Sequence, residues 1–196
     1  MSNSAIEVDV RRSRALDSIL QAALVIGGSL AVALCARIYL PLPGTPVPLT
    51  VQNLGVLVVG LALGSRRGFL ALALYLAEGA SGLPVFSPAL SGGFAQLLGP
   101  TGGYLIAYPF VAALTGYIFE RGKPTFARAA WACFAGEILL FTGGIAQLYL
   151  LTHSLATAIC FGLYWFIVAE VMKVMFAAAA ARGWRSLFPP SNSALL

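Results

Sequence analysis

The sequence predicts an all-α integral membrane protein with six transmembrane helices and with both termini on the cytoplasmic side. Two observations carry this prediction, the composition and the placement of the basic residues. Of the 196 residues, 59% are hydrophobic and only 10% are charged, and the mean hydropathy is +0.87. Soluble domains contain roughly 25% charged residues, so this chain has too little polar surface to fold in water. A soluble enzyme is therefore excluded.

Six apolar stretches follow one another along the chain, and the basic residues fall on alternate sides of them. The stretches are Leu16–Ala36, Leu49–Gly64, Phe69–Ala80, Tyr104–Phe119, Ala129–Thr152 and Leu155–Ala181. In a six-span arrangement, ten of the twelve Lys and Arg residues flank the stretches on the same side of the membrane. They are Arg11, Arg12, Arg14, Arg66, Arg67, Arg121, Lys123, Arg128, Arg182 and Arg185. Basic residues concentrate on the cytoplasmic side. The pattern therefore places both termini there, and five or seven spans would break it.

These boundaries predict three parts of the chain. A cytoplasmic N-terminal tail covers residues 1–14, a six-helix membrane domain covers 15–182, and a cytoplasmic C-terminal tail covers 183–196. The sequence pI of about 9.4 is then an orientation signal and not a sign of nucleic-acid binding. Cys35, Cys133 and Cys160 occur singly within apolar runs, so we expect small buried side chains and neither disulfides nor a metal site.

The second and third stretches are too short to cross about 30 Å of hydrocarbon as straight helices. The third continues into residues 79–103, which are rich in Gly and Pro, apolar and uncharged. Irregular backbone at membrane depth survives where it is buried in protein or lines a cavity, and short interrupted spans are typical of binding sites. We expect this segment to cover a cavity. The alternative is an ordinary external loop.

Four charged residues lie within the predicted spans, and each needs a partner or a function because a charge at the bilayer centre costs about 2.5–3.5 kcal/mol. They are Glu78, Glu137, Glu170 and Lys173. Counted at 1.5 Å per residue from the nearest cytoplasmic arginine, all four lie about 13–18 Å deep, in one layer. Arg37 follows at the outer end of the first stretch, and Gln52 and Asn53 add amide groups in the outer half.

Within the last span, Glu170 and Lys173 are three residues apart and share a helix face. A structural ion pair between Glu137 and Lys173 is an open alternative, because the two match in depth. Whichever glutamate pairs with Lys173, three carboxylates and one ammonium leave more negative than positive charge in this layer. A neutral polar ligand with N–H groups would supply the missing donors.

The first stretch carries a ladder of small residues at i, i+4 spacing, Ala23, Gly27, Ala31 and Cys35. Such ladders let another helix approach closely. The partner is either a helix of this chain or a separate membrane subunit. Catalytic motifs are absent, and without a G-x-x-x-x-G-K-[ST] loop the chain has no ATP site of its own.

Several segments resemble the BioY family, the biotin-specific S components of energy-coupling factor transporters. The motifs that carry the resemblance lie between about residues 40 and 110, in the order of the family: Pro46–Gln52 (PVPLTVQ), Gly64–Gly68 (GSRRG), Tyr75–Phe86 (YLAEGASGLPVF), Gly92 and Gly93, and Gly99–Ile106 (GPTGGYLI). The resemblance implies an S-component-like fold with a biotin pocket that faces outward, roofed by the first and third external loops.

The resemblance also implies roles for particular residues. In the family, an acidic residue and a lysine three positions later contact the biotin head, and Glu170 and Lys173 match that spacing. Glu stands here where the family typically has Asp, and Ala169 replaces a glycine. Glu78 belongs to the same charged layer. The remaining site predictions are Phe86 and Tyr104 for the thiophane ring and the valeryl chain, and Gln52 and Arg37 for the carboxylate.

The resemblance further implies a multi-pass protein of the bacterial inner membrane, surrounded by lipid, that captures biotin and delivers it inward. Its partners would be a transmembrane coupling subunit, docked on Ala23, Gly27 and Ala31, and ATPase subunits. No cofactor is expected, because biotin is the transported ligand. Three alternatives stay open: an S component for another vitamin, a solitary carrier without an ATPase, and an intramembrane enzyme that uses Glu78, Glu137 or Glu170.

Overall fold

The computed structural model describes residues 3–187, and describes side-chain surroundings for residues 16–181. The chain is mostly helical. The elements in order are α1 (Asn3–Cys35), β1 (Tyr39–Leu40), β2 (Leu49–Thr50), α2 (Gln52–Ala80), α3 (Gly93–Leu98), α4 (Gly102–Glu120), α5 (Phe126–Thr152), α6 (Leu155–Ile159), a π-helix (Cys160–Tyr164) and α7 (Ile167–Leu187). The two short strands pair antiparallel, with Tyr39 opposite Thr50.

Helix α2 is a helical hairpin that reverses at Gly64. Gly64 has φ 79° and ψ −177° inside an otherwise helical run. The Gln52 Nε2 atom donates to the Tyr75 Oη atom over 2.9 Å, although a straight helix would separate residues 23 apart by about 35 Å. A Cβ atom on Gly68 would lie 3.4 Å from the Gly60 Cα atom. Residues 52–63 and 65–80 are therefore two antiparallel arms, hereafter the first and second arms of α2.

The tip of the hairpin fits against the end of α4. A Cβ atom on Gly64 would collide with the Glu120 carboxylate, and this backbone conformation is open essentially to glycine alone. The Glu120 Oε2 atom accepts a hydrogen bond from the Ser65 backbone N–H over 3.2 Å. The carboxylate therefore caps the second arm, where the positive end of the helix dipole favours an anion.

Helix α1 packs on both arms of α2, with one face only partly covered. Gly28 sits against Ala71, and the Ser29 Oγ atom donates to Glu78 over 2.5 Å. On the opposite face Ala23, Gly27 and Ala31 are exposed, and no atom lies within 4 Å of a Cβ built at Gly27. The described helices of this chain therefore leave Ala23, Gly27 and Ala31 of the small ladder uncovered, whereas its last member, Cys35, packs against Gly55 of the first arm.

The last helical segment is broken. Leu155–Tyr164 and Ile167–Ala181 meet at an angle of 45°, although the sequence predicts one continuous stretch there. The π-helix turns the carbonyls of Phe161 and Gly162 toward other side chains. The Thr45 Oγ1 atom donates to Phe161 O over 2.7 Å, and the Tyr104 Oη atom donates to Gly162 O over 2.8 Å. Such breaks are frequent at functional sites.

Four described helices are long and apolar enough to cross a membrane, and the bent pair makes up to five. The length and composition of these helices support the predicted multi-pass helical membrane protein. This total counts α2 as one span. The predicted number of six spans is reached only if the two arms of α2 are counted separately. The side chains of the predicted tails, residues 1–14 and 183–196, lie outside the described residues, so the division into three parts stays a prediction.

Because the hairpin depends on Gly64, we expect Gly64→Ala to destabilise the protein by about 1–3 kcal/mol, the cost of holding an L-residue in this conformation. Thermal unfolding in detergent measures the change. Gly27→Ala is the matched control, since its Cβ meets nothing and alanine favours a helix. Equal unfolding midpoints for Gly64→Ala and the wild type would contradict the hairpin.

Candidate ligand-binding site

A cavity lies among the first arm of α2, α4, α5 and the broken helix, and it is covered by residues from the connections 41–50 and 81–101. Its wall consists of Val47, Pro48, Thr50, Gln52, Asn53, Ser87, Gln96, Thr101, Tyr104, Leu105, Tyr108, Leu140, Phe141, Gly162, Phe166, Glu170 and Lys173. The volume is about 60 Å³, enough for roughly two water molecules. Pockets for drug-sized ligands run from about 300 Å³ upward, so a larger ligand must widen this cavity.

Asn53 joins two buried carboxylates, Glu170 in the wall of the cavity and Glu137 outside it. Its Nδ2 atom donates to Glu137 Oε1 and to Glu170 Oε2, each over 2.7 Å. The Lys173 Nζ atom lies 2.7 Å from Glu170 Oε1. Asn53, Glu137 and Glu170 are 4%, 5% and 7% exposed. These four residues, Asn53, Glu137, Glu170 and Lys173, form the carboxylate cluster.

The carboxylate cluster has more acceptors than donors. It holds two carboxylates against one ammonium, and Asn53 Oδ1 and Glu137 Oε2 are buried without a hydrogen-bond partner among the described residues. A buried polar atom without a partner costs about 1–3 kcal/mol, and this cost is recovered when a ligand supplies the donor. The cluster is therefore suited to a ligand that presents N–H groups together with an acceptor for Lys173.

Tyrosine side chains hold the covering segments in place. The Tyr75 Oη atom accepts from Gln52 Nε2 and donates to Val85 O over 3.0 Å. Phe86 packs edge-on against Tyr75, with ring centroids 5.4 Å apart, and fills the space that a side chain at Gly79 would take. The segment after α2 is thus tied to the start of the first arm.

A larger space opens sideways between α5 and the broken helix. Its volume is about 750 Å³, and exposed apolar side chains such as Ile138, Val171 and Met175 line it. Phe141 and Glu170 belong to the walls of both spaces. Glu137 lines this groove and not the smaller cavity, and the groove has room for a ligand but few other polar groups to orient one. We place the site in the smaller cavity, because its polar groups converge.

The structure brings some of the predicted site residues together and leaves others apart. Gln52, Tyr104, Glu170 and Lys173 line the cavity. Glu78, Phe86 and Arg37 are not part of its wall, and Glu78 is bonded to Ser29 on α1 instead. Arg37 is exposed beyond the end of α1 and Phe86 is buried behind the wall. The roles assigned from the sequence stay predictions for all seven residues.

The charged layer predicted from the sequence is divided in the structure. Glu137, Glu170 and Lys173 meet in one cluster, while Glu78 faces α1. The ion pair that forms joins Lys173 to Glu170, and Glu137 is held by Asn53.

Sequence reasoning missed the central position of Asn53 and the presence of Ser87, Gln96 and Thr101 in the wall. An amide in the first turn of an apolar helix was the one signal available for Asn53. Thr101 lies within the Gly99–Ile106 motif, whereas nothing local marked Ser87 and Gln96.

Comparisons with known proteins agree on one class of membrane protein. The fold is similar to that in the crystal structure at 2.1 Å of the S-component for biotin from an ECF-type ABC transporter, with a TM-score of 0.79, 23% identity and 95% of each chain covered. A sequence model of the BioY family matches residues 7–190.

Curated relatives carry the same family name. The biotin transporter BioY of Thermotoga maritima is 33% identical over 158 residues, which are 81% of this chain and 92% of that protein. The biotin transporter BioY of Rhizobium etli is 36% identical over 145 residues, 70% and 77% of the two chains. The chain belongs to the BioY family. The resemblance drawn from the motifs is confirmed, and so is the prediction of a transport component rather than an enzyme.

We expect Lys173→Met to destabilise the unliganded protein by about 3–5 kcal/mol, because it leaves buried carboxylates without their cation. The double variant Glu170→Leu with Lys173→Met removes both charges of the pair and should recover much of that loss. Thermal unfolding in detergent gives the comparison. Thr142→Val is the control, since Thr142 is exposed and bonds only its own helix. A double variant as unstable as the sum of its single variants would contradict the pairing.

Proposed function

We propose that this chain is the biotin-binding S component of an energy-coupling factor transporter. In this proposal it captures biotin from outside the cell and carries it across the bacterial inner membrane with ATP-driven partner subunits. The observation that carries the proposal is the buried carboxylate cluster, three residues of which (Asn53, Glu170 and Lys173) line a cavity in a member of the BioY family.

The chemistry of biotin suits the cluster. Its cyclic urea presents two N–H donors and one carbonyl acceptor. The N–H groups meet the acceptors of the cavity wall, the Glu170 carboxylate and Asn53 Oδ1, which has no partner among the described residues, and the carbonyl takes a hydrogen bond from Lys173. Hydrogen bonds that involve an ionised group are strong where water is excluded.

Entry of biotin requires the cavity to widen from about 60 Å³. Hydrogen bonds to neighbouring residues hold the covering segments, among them Tyr75 to Val85 O, Gln147 to Leu98 O and Thr45 to Phe161 O. We propose that these contacts open when biotin enters and that the connections 41–50 and 81–101 then close over it.

Six passes through the membrane follow when the two arms of α2 are counted separately. The arms of residues 52–63 and 65–80 are about 18 and 24 Å long, shorter than the hydrocarbon core, and other helices surround them. The contact between Ser65 and Glu120 supports placing Arg66, Arg67 and Arg121 at one end of the molecule. Under the positive-inside rule that end is cytoplasmic, and both termini lie there in the proposed topology.

The exposed small face of α1 is the proposed docking surface for a transmembrane coupling subunit. Gly27→Leu should abolish biotin uptake in cells that contain the partner subunits, because the bulky side chain holds the partner helix away. Biotin binding to the purified protein should not change, since Gly27 is not in the cavity wall. Normal uptake by Gly27→Leu would contradict the docking surface, and a loss of binding would show that the variant is misfolded.

The binding assignment is tested with purified protein in detergent. We expect Glu170→Ala and Lys173→Ala each to lower biotin affinity by at least about tenfold, since hydrogen bonds to charged groups contribute about 1.5–3 kcal/mol. Thr142→Val is again the matched control, on the outer surface of α5. Affinity unchanged in both cluster variants would refute the head-group assignment.

A panel of vitamins separates this function from the other S-component specificities. Thiamin and riboflavin should fail to compete with labelled biotin at equimolar concentration. Uptake by cells that express the chain with and without coupling subunits separates the energy-coupled transporter from a solitary carrier.

A further inference from the structure

The end of the cavity away from the carboxylate cluster carries polar groups without partners. Gln96 is 3% exposed, and its Oε1 atom has no hydrogen-bond partner among the described residues. The Thr101 Oγ1 atom is buried and equally without a partner there. Ser87 is also 3% exposed and accepts one long bond from Ala89 N–H over 3.5 Å, so its hydroxyl proton is available. All three residues line the cavity.

The first turn of α4 belongs to the same wall. Thr101 is the N-cap of this 19-residue helix, yet its side chain makes no capping hydrogen bond. Thr101, Tyr104 and Leu105 all line the cavity. The Gly102 N–H donates to Gly99 O over 3.0 Å, whereas the next N–H groups, of Gly103 and Tyr104, have no acceptor within the helix, and the helix dipole makes this end favourable for an anion.

This polar end lies outward of the carboxylate cluster. A Cβ atom on Gly143 of α5 would lie 2.8 Å from Gly103 O, so the start of α4 abuts α5 at Gly143. Gly143 is six residues beyond Glu137 on the same helix, a rise of about 9 Å. A bicyclic head with a four-methylene acid chain spans such a separation.

No free cation faces this end within the described part of the chain. Lys173 is the one Lys or Arg in the wall, and it is paired with Glu170. We propose that the ligand carboxylate is held by Gln96, Thr101 and the first turn of α4, without a cationic side chain. This inference rests on the proposed function, which places the cyclic urea at the carboxylate cluster. It adds the contacts of the carboxylate at the other end of the ligand.

The donors needed for a carboxylate are present. Thr101 and Ser87 supply O–H groups. Neither end of the Gln96 amide bonds a described residue, so the amide is free to turn its two N–H groups toward the ligand. A carboxylate accepts several such hydrogen bonds at once, and charge makes each stronger than a bond to a neutral acceptor.

The test compares biotin with its primary carboxamide, which has the same size and no charge. Binding is measured on the full chain in detergent. The wild type should bind biotin about tenfold more tightly than the carboxamide, the factor expected for one or two charge-assisted hydrogen bonds. Thr101→Val and Gln96→Leu should each lower biotin affinity by about tenfold and carboxamide affinity by less than about threefold.

Two further variants serve as controls. Thr101→Ser keeps the hydroxyl and should retain biotin affinity, and Thr142→Val removes a hydroxyl that is not in the cavity wall and should change nothing. A wild type that binds neither ligand would refute the proposed function, and this inference with it. A wild type that binds both ligands, with variants that weaken both equally or neither, would overturn the carboxylate site alone.

Discussion

The hydrogen bonds that Asn53 Nδ2 donates to Glu137 and Glu170 are the interaction on which the rest of the structure depends. A charge near the bilayer centre costs about 2.5–3.5 kcal/mol, and this cluster buries two carboxylates. One amide and one ammonium, Lys173, offset that cost. Because Asn53 lies on the first arm of α2, Glu137 on α5 and Glu170 on α7, the cluster also joins three elements at one point. Its remaining acceptors are then available to a ligand.

Close backbone packing brings Asn53 to that point. The chain reverses at Gly64, which places the two arms of α2 side by side, and Gly103 and Gly143 let α4 approach α5. The break in the last helical segment brings other parts of the chain against that segment. It frees the carbonyls of Phe161 and Gly162, which accept hydrogen bonds from Thr45 and Tyr104. Short arms and a broken helix leave irregular backbone at membrane depth, and it is tolerated here because it lines a cavity.

The sequence was sufficient for features that depend on local composition. The two short apolar stretches coincide with the arms of α2, and the spacing of Glu170 and Lys173 predicted their shared face. Features set by contacts between distant residues were missed. The break at residues 165–166 depends on partners more than fifty positions away, and the apolar run there reads as one helix. Depth counting gives a position for Glu78 along its helix but no rotation about the helix axis, so its bond to Ser29 was not foreseen.

The central claim is that the carboxylate cluster recognises the cyclic urea of biotin through its N–H groups. The most direct measurement compares the affinity of the purified wild type for biotin with its affinity for the analogue methylated on both ureido nitrogens. Methylation removes the donors and leaves the carbonyl, the acid chain and the thiophane ring unchanged. We predict that affinity for the methylated analogue falls by at least about a hundredfold, the loss of two charge-assisted hydrogen bonds. Equal affinity for the two ligands would contradict the account.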